Sequence, residues 1–398
     1  MRAIVFIGSS TTGSSMDALA AVIRLGCAAI LLTDRKAFLR RQPEDAQLIY
    51  MKLLEEGIIR KQLVQLIQSG HDIQAIISFV DPYVSMAAKL SNEFCGSVIS
   101  YDVLQLMEDK LTTRLALRNN RASCKFEMIT TNQIKPSSIT YPFIMKNPIS
   151  NGSKDVYYIE DEKKYKIAVK RLTKRLPGQQ FLIEEFIEGP QYIIEVVVIE
   201  ALPIIVAVIQ QEIMRDYTFI VTAYDVVVDM DEAHYRSLWK TVTSLMREIG
   251  LQNGSCHIEM RHSPNGWKLI ELNPRISGGA MNRMIEEAFG INLVQETIKF
   301  YLGEEPDLIR KKQQYVHTSY ITINSTGYLL EVEGVNEAVN CPGVADVFVK
   351  PSIGTIMIPP LSMGHRYGYV MAVGESTKEA KERAEYAAKL IKFYIEPL

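Results

Sequence analysis

Residues 255–275, SCHIEMRHSPNGWKLIELNPR, decide how this chain is read. Two runs of alternating apolar and polar residues, HIEMR and WKLIELN, flank the turn sequence PNG, which is the pattern of two antiparallel strands joined by a short connection. Because side chains alternate along a strand, Glu271, Asn273 and Arg275 share one face, and Glu259 on the neighbouring strand can face the same side. Two carboxylates, an amide oxygen and a cation then converge. Glu259, Glu271 and Asn273 suit Mg²⁺, a hard ion that takes oxygen ligands and shares its octahedron with water and substrate phosphates, with Mn²⁺ as the alternative. Arg275 is placed to hold a transferring phosphate or stabilise its developing charge. ISGGAMN follows at once, bringing the backbone N–H groups of Gly278 and Gly279 beside the metal candidates.

Two lysines precede this hairpin. Lys110 stands in EDK, and Lys146 ends the apolar strand PFIMKNP, where a buried stem would carry its ammonium into a cleft; phosphate is the obvious partner of both. The segment from Ser150 to Val156 has the small, polar composition of a loop that covers phosphates through backbone N–H groups. In FLIEEFIEGPQY a strand ends in paired acids and a turn. Such a connector can give an adenine ring backbone hydrogen bonds, with Glu184 or Glu185 as a side-chain acceptor.

The chain opens as AIVFI, the polar turn GSSTTGSS, a helical pattern through MDALAAVIRLG and a second apolar run CAAILLTD, a βαβ beginning. The first hundred residues read as an open parallel α/β layer, with a long helix over 47–70 and a short strand at GSVIS, 96–100. A helix over 107–120 opens an α+β unit expected to be mobile. Alternating strands run from Gln191 to about Asp229, and DEAHYRSLWKTVTSLMREIG has the apolar spacing of an amphipathic helix. The tail from about Lys311 alternates strand-like runs with turns and closes on a helix over 376–394.

Of 398 residues, 47% are hydrophobic and 23% charged, enough to bury a large core across two to three domains. Lys plus Arg total 44 against 46 Asp plus Glu, a net charge of −2, so there is no basic surplus for nucleic acid or an anionic membrane. Five cysteines without a CxxC pair suit a reducing compartment. The start, MRAIVFIGSS, lacks a secretory apolar region, and the greasy stretch 192–209 is cut by Glu195, Glu200 and Pro203. A cytoplasmic protein without membrane contact is expected.

Lys110, Lys146, the small-residue loop, IEEFIEG and the E…ELNPR pair occur in the order found in the ATP-grasp superfamily, which the chain resembles over roughly residues 1–300. The remaining tail is similar to the C-terminal cap of its amino-acid ligase branch. SFVDPYV, HIEMR, NPRISGG, PGVADV and GYVMAVGEST resemble bacterial L-amino-acid ligases that make dipeptides. The resemblance implies an N-terminal open parallel α/β domain (1–103), a central lid subdomain (104–187), an antiparallel-sheet ATP-binding core with the metal site (188–310) and a small C-terminal cap (311–398).

It further implies that Lys110, Lys146 and the loop residues Ser150, Gly152 and Ser153 bind ATP phosphates. Glu184, with the backbone from Glu185 through Phe186 to Ile187, would hold adenine, and Gln191 the ribose. Glu259, Glu271 and Asn273 would bind Mg²⁺, Arg275 would stabilise an acyl phosphate and the tetrahedral state, and His257 would touch phosphate or substrate. FIVTAY stands where relatives have FVETGH, so Val221 and Tyr224 replace a substrate-holding Glu and His, and Asp155 stands where Gly is usual. Gly278 and Gly279 complete the substrate wall. The expected reaction joins two amino acids at the expense of ATP, in a homodimer. Two readings compete: a ligase acting on another amine or a carrier-protein arm, and a dinucleotide-binding oxidoreductase suggested by FIGSSTTGSS, which lacks GxGxxG.

Overall fold

The computed structural model describes residues 1–40, 43, 44, 46–130, 139–148, 155–215 and 219–398. Four parallel strands form the first layer, in the order Ala46–Tyr50, Ala28–Thr33, Arg2–Ile7, Asp72–Ile77. Their apolar runs are continuous because both faces are covered. Ile4 and Phe6 point into the large core shared with the neighbouring domain, while Ala3, Val5 and Ile7 pack with Leu63 and Leu66 of helix Glu56–Gln68.

Three expectations change here. Residues 47–70 are not one helix: they hold most of the edge strand Ala46–Tyr50 and the helix Glu56–Gln68. GSVIS forms no strand, since the Asn92 amide accepts from the Ile99 N–H (3.0 Å) and donates to the Ile99 carbonyl (2.7 Å), leaving no need of a ladder. The helix expected over 107–120 breaks at Asp109, whose side chain accepts from the Thr112 N–H at 2.8 Å and starts a new helix, Lys110–Ala116.

The main sheet has eight antiparallel strands, in the order Gly266–Asn273, Gly254–Ser263, Gln191–Ile199, Leu202–Arg215, Phe219–Val226, Tyr315–Ile321, Gly368–Gly374, Val344–Val349. It is continuous across residue 311, so three strands of the tail extend the sheet that carries the hairpin. Helix Glu232–Ile249 packs Leu238, Val242, Leu245 and Met246 onto this core; Asp231 caps its start and the left-handed Gly250 its end. The closing helix spans Thr377–Leu390, and the residues read as its end instead form the strand Lys392–Pro397, paired with Gly327–Glu333.

A separate four-stranded sheet, Phe126–Thr130, Gln180–Glu185, Phe143–Lys146, Val156–Ile159, is backed by helix Glu162–Arg175 through Tyr165, Ala168 and Leu172. The cleft lies between this sheet and the main one. No helix among the described residues is long and apolar enough to cross a membrane.

Candidate functional site

In the hairpin Glu259 lies directly opposite Glu271, and His257 opposite Asn273. All four line a cleft of about 300 Å³ together with Arg275, Gly278 and Gly279 from the segment that follows. Lys110 enters from the first residue of its short helix and meets Glu271 at 3.3 Å. Lys146 arrives from the other sheet, at the end of an apolar strand whose burial carries its ammonium inward, and pairs with Glu184 at 2.7 Å. The loop candidates Ser150, Gly152 and Ser153 lie outside the described residues.

The two opposed carboxylates are shifted in opposite directions. Burial resists ionisation of Glu271, but Lys110 and Lys146 outweigh it and hold the carboxyl below its usual range. At Glu259 burial and then the charge of Glu271 raise the carboxyl, and the lysines and Gln191 only partly compensate. A second acid facing an ionised one, with an amide oxygen two residues along the strand, is the donor set a hard divalent cation satisfies, so Glu259, Glu271 and Asn273 fit Mg²⁺.

His257 is neutral near pH 7, because burial and then Arg275 lower it to about 4. Its Nδ1 lies 2.8 Å from the Arg275 carbonyl, which can only accept, so Nδ1 carries the proton and Nε2 is the acceptor nitrogen. Arg275 in turn donates from Nε (3.1 Å) and Nη2 (2.6 Å) to Asp81 at the end of the parallel layer. Below it Glu195 is fully buried and accepts from the Ser277 hydroxyl and its N–H; burial pushes this carboxyl up to about 7.

The adenine-side candidates are arranged differently from the expectation. Phe186 and Ile187 line the cleft, but Glu185 does not: its carboxylate accepts from the Lys125 N–H (2.9 Å) and its own N–H donates to the Lys125 carbonyl (3.0 Å). The Glu184 carboxylate is committed to two cations, Arg114 at 2.5 Å and Lys146 at 2.7 Å. Although burial opposes it, these cations hold its carboxyl well below the usual range. Gln191 is used at both ends, donating to Glu259 and accepting from Arg261, each at 2.9 Å. Val221 and Tyr224 form the far wall with Tyr320 and Arg366.

Three residues of this site were not singled out in the sequence, although Asp81 lies within SFVDPYV. Arg114 lies one helical turn after Lys110 and so shares its helix face, reaching the buried Glu184 of the cleft wall; the i, i+4 spacing could have suggested it. Asp81 lies in the connection just beyond the parallel strand Asp72–Ile77, where open α/β layers place functional groups. Arg366 belongs to a turn 142 residues from Tyr224, its partner, and only the fold brings it in.

Residues 139–283 match the family described as ATP-grasp domain, the segment that contains Lys146, Glu184, Glu259, Glu271 and Arg275. The chain contains an ATP-grasp domain over these residues. Residues 319–396 match the L-amino acid ligase C-terminal domain 2, so the tail that extends the ATP-grasp sheet carries a family of its own. Among solved structures, an L-amino acid ligase from Bacillus licheniformis superposes with a TM-score of 0.85 at 17% identity, covering 100% of this chain and 99% of that one.

Among curated relatives, the uncharacterized protein y4rH of Sinorhizobium fredii is 27% identical over 273 residues, 67% of this chain and 55% of its own length. Dapdiamide A synthase of Enterobacter agglomerans is 22% identical over 180 residues, 44% of this chain and 42% of its own length. The chain spans about half the length of the first curated relatives it matches.

Proposed function

We propose that the chain is an ATP-dependent carboxylate–amine ligase that joins two amino acids through an acyl phosphate. One observation carries this reading: Glu259 and Glu271 face each other in a cleft also lined by Lys110, Lys146 and Arg275, a combination suited to the tail of a nucleoside triphosphate and to an activated carboxylate. Mg²⁺, held by Glu259, Glu271 and Asn273, would supply charge neutralisation on the phosphates when bound. Lys110 and Lys146 would hold the β- and γ-phosphates.

In the first step a carboxylate oxygen bonds to the γ-phosphorus as the bond to ADP breaks. In the second the amine bonds to the acyl carbon, phosphate leaves and the nitrogen loses a proton. Arg275, oriented by Asp81, would bind the oxygens that gain charge in both steps, and neutral His257 offers Nε2 as a proton acceptor. No covalent intermediate on a side chain is needed. The oxidoreductase reading loses support at Gly13, which the dinucleotide would have to approach: a Cβ there would lie 2.7 Å from the Gly279 N, so the turn is filled by the ISGG segment.

Phosphate release from ATP and Mg²⁺, screened with single and paired amino acids and with products identified by mass, tests the proposal. Stimulation by particular pairs, with stoichiometric amide product, is expected; release that no carboxylate and amine stimulate overturns it.

A further inference from the structure

Most cations around the cleft already have a carboxylate. Lys110 pairs with Glu271, Lys146 and Arg114 with Glu184, and Arg275 with Asp81. Arg261 has no acid but is satisfied otherwise, by the Gln191 amide at 2.9 Å, the Ile187 carbonyl at 2.6 Å and the Phe186 ring beneath it. Arg366 is the exception. It forms no ion pair with a described residue; its Nη1 donates at 3.2 Å to the Tyr224 hydroxyl and at 3.4 Å to the Val221 carbonyl, both neutral, and its buried Nε has no partner. The guanidinium lies 3.8 Å from the centre of the Tyr320 ring.

This arginine is held in place rather than free to swing out. The Tyr367 N–H donates to the Ile321 carbonyl and the Lys350 N–H to the Tyr367 carbonyl, each at 2.8 Å, which fixes the turn that carries it. Lys350 beside it donates to the Gly364 carbonyl at 2.8 Å and brings no acid either. A half-buried guanidinium that lines the cleft without a counter-charge, its buried Nε unsatisfied, costs free energy that an anionic ligand would recover.

Resting on the ligase reading above, we propose that Arg366 binds a substrate carboxylate other than the one activated, and so makes the enzyme selective for substrates that carry a second acid group. The activated carboxylate must meet the γ-phosphate beside Glu259, Glu271 and Arg275. The group at Arg366 is therefore a spectator: the α-carboxylate of the amino acid that supplies the amine, or an acidic side chain. Tyr224 and Tyr320 act as its aromatic walls.

The test compares free L-amino acids with their carboxamides, by thermal shift in the presence of ADP and Mg²⁺ and by phosphate release. The wild-type protein should bind the free acid at least about tenfold more tightly than the carboxamide, the scale of one lost charge-assisted hydrogen bond. Arg366→Gln should bring that ratio close to one, and Arg366→Lys should retain part of it. Stabilisation by ADP and Mg²⁺ alone shows that each variant is folded. Sensitivity to amidation of the α-carboxylate assigns the acceptor amino acid, and sensitivity to aspartate against asparagine or glutamate against glutamine assigns an acidic side chain. A wild-type protein with no preference, or a preference kept in Arg366→Gln, overturns the proposal. Loss of the ligase reading shows separately, as phosphate release that no pair stimulates while the binding ratio still responds to Arg366.

Discussion

Replacing Arg275 with Ala or Glu271 with Gln is expected to lower kcat by about 10²–10³, the loss seen when one preorganised transition-state contact is removed. The two residues act on different charges. Glu271 is the carboxylate kept ionised by Lys110 and Lys146, so its conversion to an amide removes the anion most ready to hold a dication. Arg275 is a planar guanidinium held by Asp81 through Nε and Nη2, which orients its remaining N–H groups, and Lys cannot reproduce that geometry. Arg275→Lys should therefore recover little activity, and Asp81→Asn should give an intermediate loss expressed in kcat more than in KM. Initial rates of phosphate release at saturating ATP measure this. Wild-type rates in both Arg275→Ala and Glu271→Gln would remove the hairpin from the reaction.

Glu184→Ala is expected to destabilise the protein by about 3–5 kcal/mol, because Arg114 and Lys146 are both buried and both lose their counter-ion. The thermal midpoint should fall by on the order of 10 °C. Adding Arg114→Met should return part of this, since one uncompensated cation goes with it. The pH dependence has a definite sign. A carboxyl depressed in the folded state gives stability that is full above its unfolded value, near 4.5, and is lost as pH falls through the folded value. Wild type and Glu184→Ala should thus converge in acid, and an unchanged midpoint at neutral pH would contradict the buried triad.

The hairpin was legible because its information is local. Alternation fixes which face each residue takes, PNG fixes the turn, and the register then sets Glu259 against Glu271 without further help. The parallel layer was legible for a similar reason, since strands buried on both faces read as unbroken apolar runs. What could not be read depends on partners distant in sequence. Arg114 is defined by Glu184, seventy residues on, and Arg366 by Tyr224, 142 residues back.

Short edge strands failed for another reason. In Ala46–Tyr50 and Lys392–Pro397 no residue is buried, so alternation is faint and the neighbouring helical pattern runs through. At Ile99, a single asparagine side chain supplied what a strand partner would have given. The amide of Gln191 illustrates the same limit: its position was readable, but its commitment to Glu259 and Arg261 was not.

The most direct measurement is a crystal structure with Mn²⁺ and a non-hydrolysable ATP analogue, using the anomalous signal of the metal. The account predicts a peak bound by Glu259, Glu271 and Asn273 and bridged to the analogue's phosphates, with Lys110 and Lys146 on the same phosphates. A nucleotide bound elsewhere, or bound in the cleft with no metal at the hairpin acids, would contradict it.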